Sequence, residues 1–205
     1  MTRLRRAQLG PEVVDHLEAA LVSAAALVDD VPSASLTMPT PCSGWSVLDV
    51  INHLAAVTEK FGRFAARSVE SQGPVGQVHG DLVGPRPARP FRHIVETALG
   101  AWREHPEALR AVCVLPFGNF DGATAAGINL FDAVVHQRDI AVGAGVDHEV
   151  DEELATVALV VADLLVTDEA RRLGHYAPSV VTDPDAPASD RLLAVAGRAA
   201  QKGFS

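Results

Sequence analysis

The segment Ser46-Val47-Leu48-Asp49-Val50-Ile51-Asn52-His53-Leu54 begins the helix on which the fold depends. Ser46 followed three residues later by Asp49 is typical of a capping box, in which two side chains bond each other's backbone amides. Apolar residues then recur at three- and four-residue steps, which predicts a buried stripe on a helix ending near Arg67. The stripe consists of Val47, Val50, Ile51, Leu54, Val57, Phe61 and Phe64.

The same spacing predicts further helices on both sides of this one. They should cover roughly residues 14–28, 91–104, 124–142, 152–173 and 189–200. Residues 72–90, rich in Gly and Pro, are interpreted as a surface connection, and residues 111–120 as an extended stretch or loop. Aromatic residues make up only 5% of the chain, which favours helices packed through small side chains over a β-sandwich. We expect an all-α bundle in a single domain, residues 1–205, with a C-terminal extension from about residue 175.

Charge, hydropathy and cysteine content argue against nucleic-acid binding and membrane insertion and bear on the location of the protein. The net charge of −9 argues against nucleic-acid binding, and the basic opening at residues 3–6 is interpreted as a solvated terminus. The longest apolar run, residues 154–166, is too short to span a membrane, and the N-terminus lacks the apolar core of a signal peptide. Cys42 and Cys113 form no disulfide framework or CxxC site, which favours a cytoplasmic location.

Helical spacing indicates a candidate metal site. Asp132 and His136 are four residues apart on the fourth predicted helix, so both side chains lie on one face and could chelate one ion. That face is a polar stripe with Asn129 and Asp139, and such a stripe is more often a solvated surface. His53 lies at the edge of an apolar arc, where a buried histidine bonded to a carbonyl is the alternative interpretation. Together the three residues provide two imidazoles and one carboxylate, the ligand count of a catalytic zinc site with an open position.

Other polar residues carry weaker signals. Cys42 could approach the mouth of the bundle, although a small buried apolar role is favoured. Asp139 either orients the His136 imidazole or forms an ion pair at the surface. His93 and His105 are expected to be exposed, and His148 and His175 lie in loop-like sequence without partners at a useful spacing.

Four segments in register resemble an actinobacterial metal-binding family. Residues 39–47 with 52–54 read PTPCSGWSV and NHL, similar to its TPC-x-GW-x-V and NHL motifs. Residues 115–118, LPFG, match the loop before its fourth helix, and residues 132–141, DAVVHQRDIA, resemble its "E/D-x-x-x-H-G-W-D-L-A". Residues 184–193, PDAPASDRLL, are similar to its closing motif. The family is related to the N-terminal domain of mycothiol-dependent maleylpyruvate isomerase, within the DinB superfamily.

The resemblance implies a DinB-like four-helix bundle with additional C-terminal helices and metal ligands at His53, Asp132 and His136. It favours a metal-dependent enzyme, a transferase or isomerase, that acts on a small molecule with a low-molecular-weight thiol such as mycothiol. Zinc is the expected ion, and nickel or iron would also suit the ligands. A non-catalytic metal- or ligand-binding protein and a metal-dependent hydrolase are the alternatives. The sequence leaves the catalytic residues unknown and leaves a monomer and a homodimer open.

Overall fold

The computed structural model describes residues 4–5, 7–67 and 78–199. In this part of the chain the helices are α1 (Val13–Asp30), α2 (Val47–Arg67), α3 (Ala88–Glu104), α4 (Gly122–Ala144), α5 (Glu152–Leu165), α6 (Asp168–Arg172) and α7 (Ala188–Val195). Short 3₁₀ helices cover Ser33–Ser35 and Pro106–Arg110. The strands are β1 (Leu4–Arg5), β2 (Val112–Leu115) and β3 (Gly118–Asp121), in the sheet order β1-β3-β2.

Helix α4 lies at the centre of the bundle and packs against α1, α2 and α5. It is buried along nearly its whole length, on its polar side as well as its apolar side. Helix α3 packs against α1 and α2, which completes a four-helix bundle, and α7 packs against α5. The predicted all-α bundle with additional C-terminal helices is confirmed, together with a small sheet that the sequence pattern did not predict.

Small residues allow α2 and α3 to approach closely. A Cβ atom placed on Gly62 would lie 2.8 Å from both Cα and Cβ of Ala98. Phe61, directly before Gly62, and Trp102, one turn after Ala98, fill the core beside this crossing and are at most 1% exposed. The crossing of α2 and α3 therefore has the close packing through small side chains that the composition predicts.

The predicted capping box of α2 is present. The Ser46 backbone amide donates to Asp49 Oδ2 at 2.8 Å, and the Asp49 amide donates to Ser46 Oγ at 3.3 Å. The hydrogen bonds from Ser46 lower the pKa of the Asp49 carboxyl group below its ordinary value. These contacts fix the first turn of the helix that carries His53.

Several predicted boundaries were wrong. The fifth helix ends at Leu165 instead of about Leu173, because the Thr167 hydroxyl accepts a hydrogen bond from the Ala170 amide and caps the new helix α6. The basic opening is not simply a solvated terminus, because Leu4–Arg5 pairs in parallel with β3. Helix α3 begins three residues earlier than expected, and residues 72–77 of the predicted surface connection lie outside the described residues.

The extended stretch predicted at residues 111–120 is a β-hairpin. Strand β2 pairs antiparallel with β3, from Val112 opposite Asp121 to Leu115 opposite Gly118. Gly118 has a φ of 151°, a conformation that favours glycine at this turn. Asp121 then caps α4 by accepting a hydrogen bond from the Thr124 amide at 3.0 Å. Among the described residues, no helix combines the length and apolar character needed to cross a membrane.

Candidate metal centre

The seam between α2 and α4 brings together the three residues that sequence spacing indicates. His53 Nε2 lies 3.2 Å from Asp132 Oδ1, and His136 Nε2 lies 3.5 Å from the same oxygen. The ring centroids of the two histidines are 5.0 Å apart, with the rings nearly perpendicular. His53 therefore contacts a carboxylate across the bundle, and among the described residues it is not bonded to a carbonyl, which was the alternative interpretation.

The spacing of these donor atoms fits one small divalent cation. Ligands 2.0–2.1 Å from a tetrahedral ion are separated from one another by about 3.3 Å. The distances of 3.2 and 3.5 Å are close to that value, and the three donor atoms lie within 4.8 Å of one another. In the described structure, the buried Oδ2 atom of Asp132 has no hydrogen-bond partner. The set could thus hold an ion and leave a coordination position for a further ligand.

Asp139 contacts the His136 imidazole on the side away from Asp132 and orients the ring. His136 Nδ1 lies 2.9 Å from Asp139 Oδ2, so an Nδ1–H donor leaves the Nε2 lone pair directed at the candidate ion position. The Asp139 side chain is fully buried, which excludes the alternative of an ion pair at the surface. It also accepts two hydrogen bonds from Arg198, from Nη2 at 2.7 Å and from Nε at 3.2 Å. Arg198 follows α7 and was not identified from the sequence.

Cys42 lies beside this buried pair rather than in a purely apolar environment. Its Sγ atom is 3.4 Å from Asp139 Oδ2 and 3.0 Å from Arg198 Nη2. The tight loop before α2 positions it, since the Thr40 amide donates to the Trp45 carbonyl at 3.1 Å. Cys42, His136 and Asp139 form a second group of closely spaced donors, but the Arg198 guanidinium bonded to two of them would repel a cation.

Trp45 lies beside both imidazole rings of the site. Its ring centroid lies 4.9 Å from that of His53 and 6.3 Å from that of His136, onto which it stacks. The side chains of His53, Asp132 and His136 are 33%, 18% and 10% exposed, respectively. The site is thus partly open to solvent on the His53 side and closed around His136.

Before an ion binds, electrostatics favour the charged forms of Asp132 and His136, so metal binding would release the proton from His136 Nε2. Burial raises the pKa of Asp132, but the attraction of His53 and His136 outweighs it and holds the pKa far below its ordinary value. Burial lowers the pKa of His136, but Asp132 and Asp139 outweigh it and raise that pKa well above the ordinary value. Asp132 is therefore an ionised carboxylate, the form that a cation requires.

Two of the four other histidines considered in the sequence differ from the expectation. His105, which was expected to be exposed, is half-buried, and its Nδ1 atom lies 3.2 Å from Glu107 Oε1. His93 and His175 are exposed. His148 is not without a partner, because its Nε2 atom lies 2.9 Å from Oε1 of Gln137. Gln137 is buried against α1 and accepts a hydrogen bond from Ser23. Spacing could not reveal this contact, because the partner lies on another element.

The fold and the His₂–carboxylate cluster define a helical-bundle protein with a candidate metal centre. A family model described as the mycothiol maleylpyruvate isomerase N-terminal domain matches residues 17–141. The chain belongs to this family. Two curated relatives, the uncharacterized proteins MT0763 and Rv0738 of Mycobacterium tuberculosis, are each 31% identical over 175 residues, covering 85% of this chain and 91% of the relative.

Solved structures show the same fold. A crystal structure of the mycothiol-dependent maleylpyruvate isomerase matches with a TM-score of 0.66 and 17% identity, covering 91% of this chain and 88% of that chain. A histidine-to-alanine mutant of the same enzyme matches with a TM-score of 0.64 and 16% identity over the same shares. The predicted DinB-like fold is thereby confirmed.

Proposed function

We propose that this protein is a metal-dependent enzyme that uses a low-molecular-weight thiol, such as mycothiol, in a transfer or isomerisation reaction on a small molecule. The observation that carries the proposal is the triangle of His53 Nε2, Asp132 Oδ1 and His136 Nε2, with distances of 3.2 and 3.5 Å from the carboxylate oxygen. Membership of the mycothiol maleylpyruvate isomerase N-terminal domain family supports the thiol-linked part of the proposal.

His53, Asp132 and His136 would hold the ion, and zinc suits two imidazoles and one carboxylate best. When bound, such an ion supplies Lewis-acid chemistry that favours the deprotonated form of a coordinated thiol. Asp139 holds the His136 ring through Nδ1, which would leave Nε2 available to the ion, and Arg198 keeps Asp139 in place. Trp45 lies against both imidazole rings and would shield one side of a bound ion from water.

Metal analysis of the purified protein tests the ligand assignment. We expect about one zinc per chain in the wild type and its loss from His53→Ala, Asp132→Ala and His136→Ala. His93→Ala is the matched control, because His93 is exposed on α3, and it should retain the metal. Unchanged zinc content in all three ligand variants would show that the site is wrongly assigned.

Cobalt substitution tests the thiol. Adding mycothiol to the cobalt-loaded protein should produce a sulfur-to-cobalt charge-transfer band that is absent from His136→Ala. If the metal is bound but the spectrum does not respond to the thiol, the chemistry belongs to a hydrolase or to a non-catalytic binding protein.

We also propose a cytoplasmic location, because both cysteines of the chain are free thiols.

A further inference from the structure

His53 is the candidate histidine ligand that polar contacts fix least. Its side chain is 33% exposed, whereas that of His136 is 10% exposed. Asp139 holds His136 at Nδ1, but no hydrogen bond from the described residues reaches Nδ1 of His53. The contact of His53 with Asp132 uses Nε2, the nitrogen that would bind the ion. A metal-binding histidine usually has a partner at its other nitrogen that fixes the ring. The orientation of the His53 ring therefore depends on packing.

The indole of Trp45 provides a packing contact for this ring. Its ring centroid lies 4.9 Å from that of His53, at an interplanar angle of 59°. The His53 ring also contacts the His136 ring, with centroids 5.0 Å apart at 77°. Aromatic rings favour tilted or edge-to-face arrangements at centroid distances of about 4.5–7 Å. Of these two ring contacts in the described structure, that of Trp45 is the one from a residue that is not itself a candidate ligand.

Trp45 is not a core residue. It is 37% exposed, whereas the other tryptophan of the chain, Trp102, is 1% exposed and packs in the core against Phe64. The ring contacts of Trp45 among the described residues are with His53 and His136, at 4.9 and 6.3 Å. An exposed aromatic side chain contributes less to folding than a buried one, because less of its apolar area is removed from water. Core packing therefore does not account for Trp45.

The loop before α2 fixes the backbone of Trp45 through both of its polar groups. The Trp45 amide donates to the Cys42 carbonyl at 3.0 Å. The Trp45 carbonyl accepts hydrogen bonds from the Thr40 amide at 3.1 Å and from the Thr40 hydroxyl at 3.0 Å. Gly44, directly before Trp45, has a φ of 81°, which favours glycine at this turn. The backbone that carries the indole is thus held in place by contacts that do not involve the candidate ligands.

We propose that Trp45 is a positioning residue of the metal centre, which holds the His53 imidazole in the orientation that directs Nε2 towards the ion. The inference rests on the proposed function for its metal centre. It assigns one orienting contact to each histidine, the Asp139 carboxylate to His136 and the Trp45 indole to His53. A ring already held in its binding orientation loses less conformational freedom when an ion binds, so this contact raises the metal affinity.

Titration of the metal-free protein with cobalt tests this inference, because it measures weak sites and its visible bands report the coordination geometry. Trp45→Leu should weaken cobalt binding about three- to tenfold and change the visible bands. Trp45→Phe keeps an aromatic ring and should bind within about twofold of the wild type. Phe117→Leu is the matched control, because Phe117 is 51% exposed and contacts Phe120 instead of a candidate ligand, and it should leave the affinity unchanged.

Double variants show whether Trp45 acts through His53. In the His53→Ala background, Trp45→Leu should have no further effect on cobalt affinity, because the ring that it positions is absent. In the Asp139→Asn background, Trp45→Leu should weaken binding by the same factor as in the wild type, since Asp139 acts on the other histidine. An undiminished effect of Trp45→Leu in His53→Ala would show that the indole only shields the ion from water, and it would overturn the inference.

Three other results would also overturn it. They are equal cobalt affinity in Trp45→Leu and the wild type, equal weakening by Trp45→Leu and Trp45→Phe, and loss of the metal-free fold in Trp45→Leu. The last result would make Trp45 a structural residue, whereas we expect metal-free Trp45→Leu to unfold within a few degrees of the metal-free wild type.

The wild type itself separates the two proposals. A wild type that binds neither zinc nor cobalt contradicts the proposed function. A wild type that binds the ion with an affinity independent of Trp45 contradicts only the positioning role of Trp45.

Discussion

His136 and Asp139 are joined by a buried contact of 2.9 Å between Nδ1 and Oδ2 on consecutive turns of α4. This contact fixes which imidazole nitrogen is available to a metal ion, since the other nitrogen is already engaged. Burial raises the pKa of Asp139, but hydrogen bonds from His136 and Arg198 outweigh it and lower the pKa below its ordinary value. Asp139 is therefore an anion that supports the candidate ligand without touching the ion.

Asp139→Asn should weaken zinc binding without removing any of the three candidate ligands. The amide keeps the shape of the side chain but loses the negative charge, and changes of this kind typically cost about 10–100-fold in metal affinity. Competition with a chelator measures the change. Asp163→Asn on the exposed face of α5 is the control and should leave the affinity unchanged. Equal affinity in Asp139→Asn and the wild type would show that the contact does not orient the ligand.

Cys113 should make the stability of the protein fall in alkaline solution. Burial raises the pKa of its thiol to about 12, whereas the thiol in the unfolded chain titrates near pH 8.5. Between these values the folded state holds a proton that the unfolded state releases, so this contribution is complete below about pH 8.5 and is lost as the pH rises. At pH 10 the loss amounts to about 2 kcal/mol.

Denaturant unfolding of the wild type and Cys113→Ala at pH 7 and pH 10 measures this effect. The free-energy difference between the two proteins should shrink at the higher pH, because alanine has no proton to release. Cys113 should also resist alkylation at pH 8 until the protein unfolds, since its thiol is buried and protonated. A difference in stability that is the same at both pH values would contradict this prediction.

Two glycines in helix interiors should respond to alanine in opposite directions. Gly62→Ala should destabilise the protein by about 1–3 kcal/mol, because the new methyl group would lie 2.8 Å from the Cα atom of Ala98. Gly100→Ala should stabilise it by about 0.5–1 kcal/mol, because no atom lies within 4 Å of the new Cβ and alanine favours the helix. Thermal and denaturant unfolding measure both values. Similar effects at the two positions would mean that α2 and α3 are not in close contact at Gly62.

The start of α2 depends on its capping box. Ser46→Ala removes the hydroxyl that accepts from the Asp49 amide and should cost about 1 kcal/mol of unfolding free energy. Thr97→Ala removes a hydroxyl that bonds the His93 carbonyl within α3, and it should change stability by less than about 0.5 kcal/mol. Chemical denaturation compares the two variants. Equal losses would indicate that the Ser46 hydroxyl has no special role as a cap.

Local patterns in the sequence were sufficient for the four helices of the bundle and for the choice of candidate ligands, but not for the end of α5. The apolar stripe and capping box of α2 predicted its bounds, because both depend on residues three or four positions apart. The same period put Asp132 and His136 on one face of α4, and the family resemblance supported His53. Whether these residues bind a metal remains a prediction until the metal content is measured.

Only the tertiary structure decided what surrounds those ligands. The polar stripe on α4 could have been a wet surface, but the packing of α1, α2 and α5 around α4 turns it into the interior. Arg198 reaches Asp139 from 59 residues away, and Cys42 reaches it from 97 residues away. The helical period shows which residues share a face of a helix. It does not show which element covers that face, because the packing of the elements depends on burying the apolar surface of the whole chain.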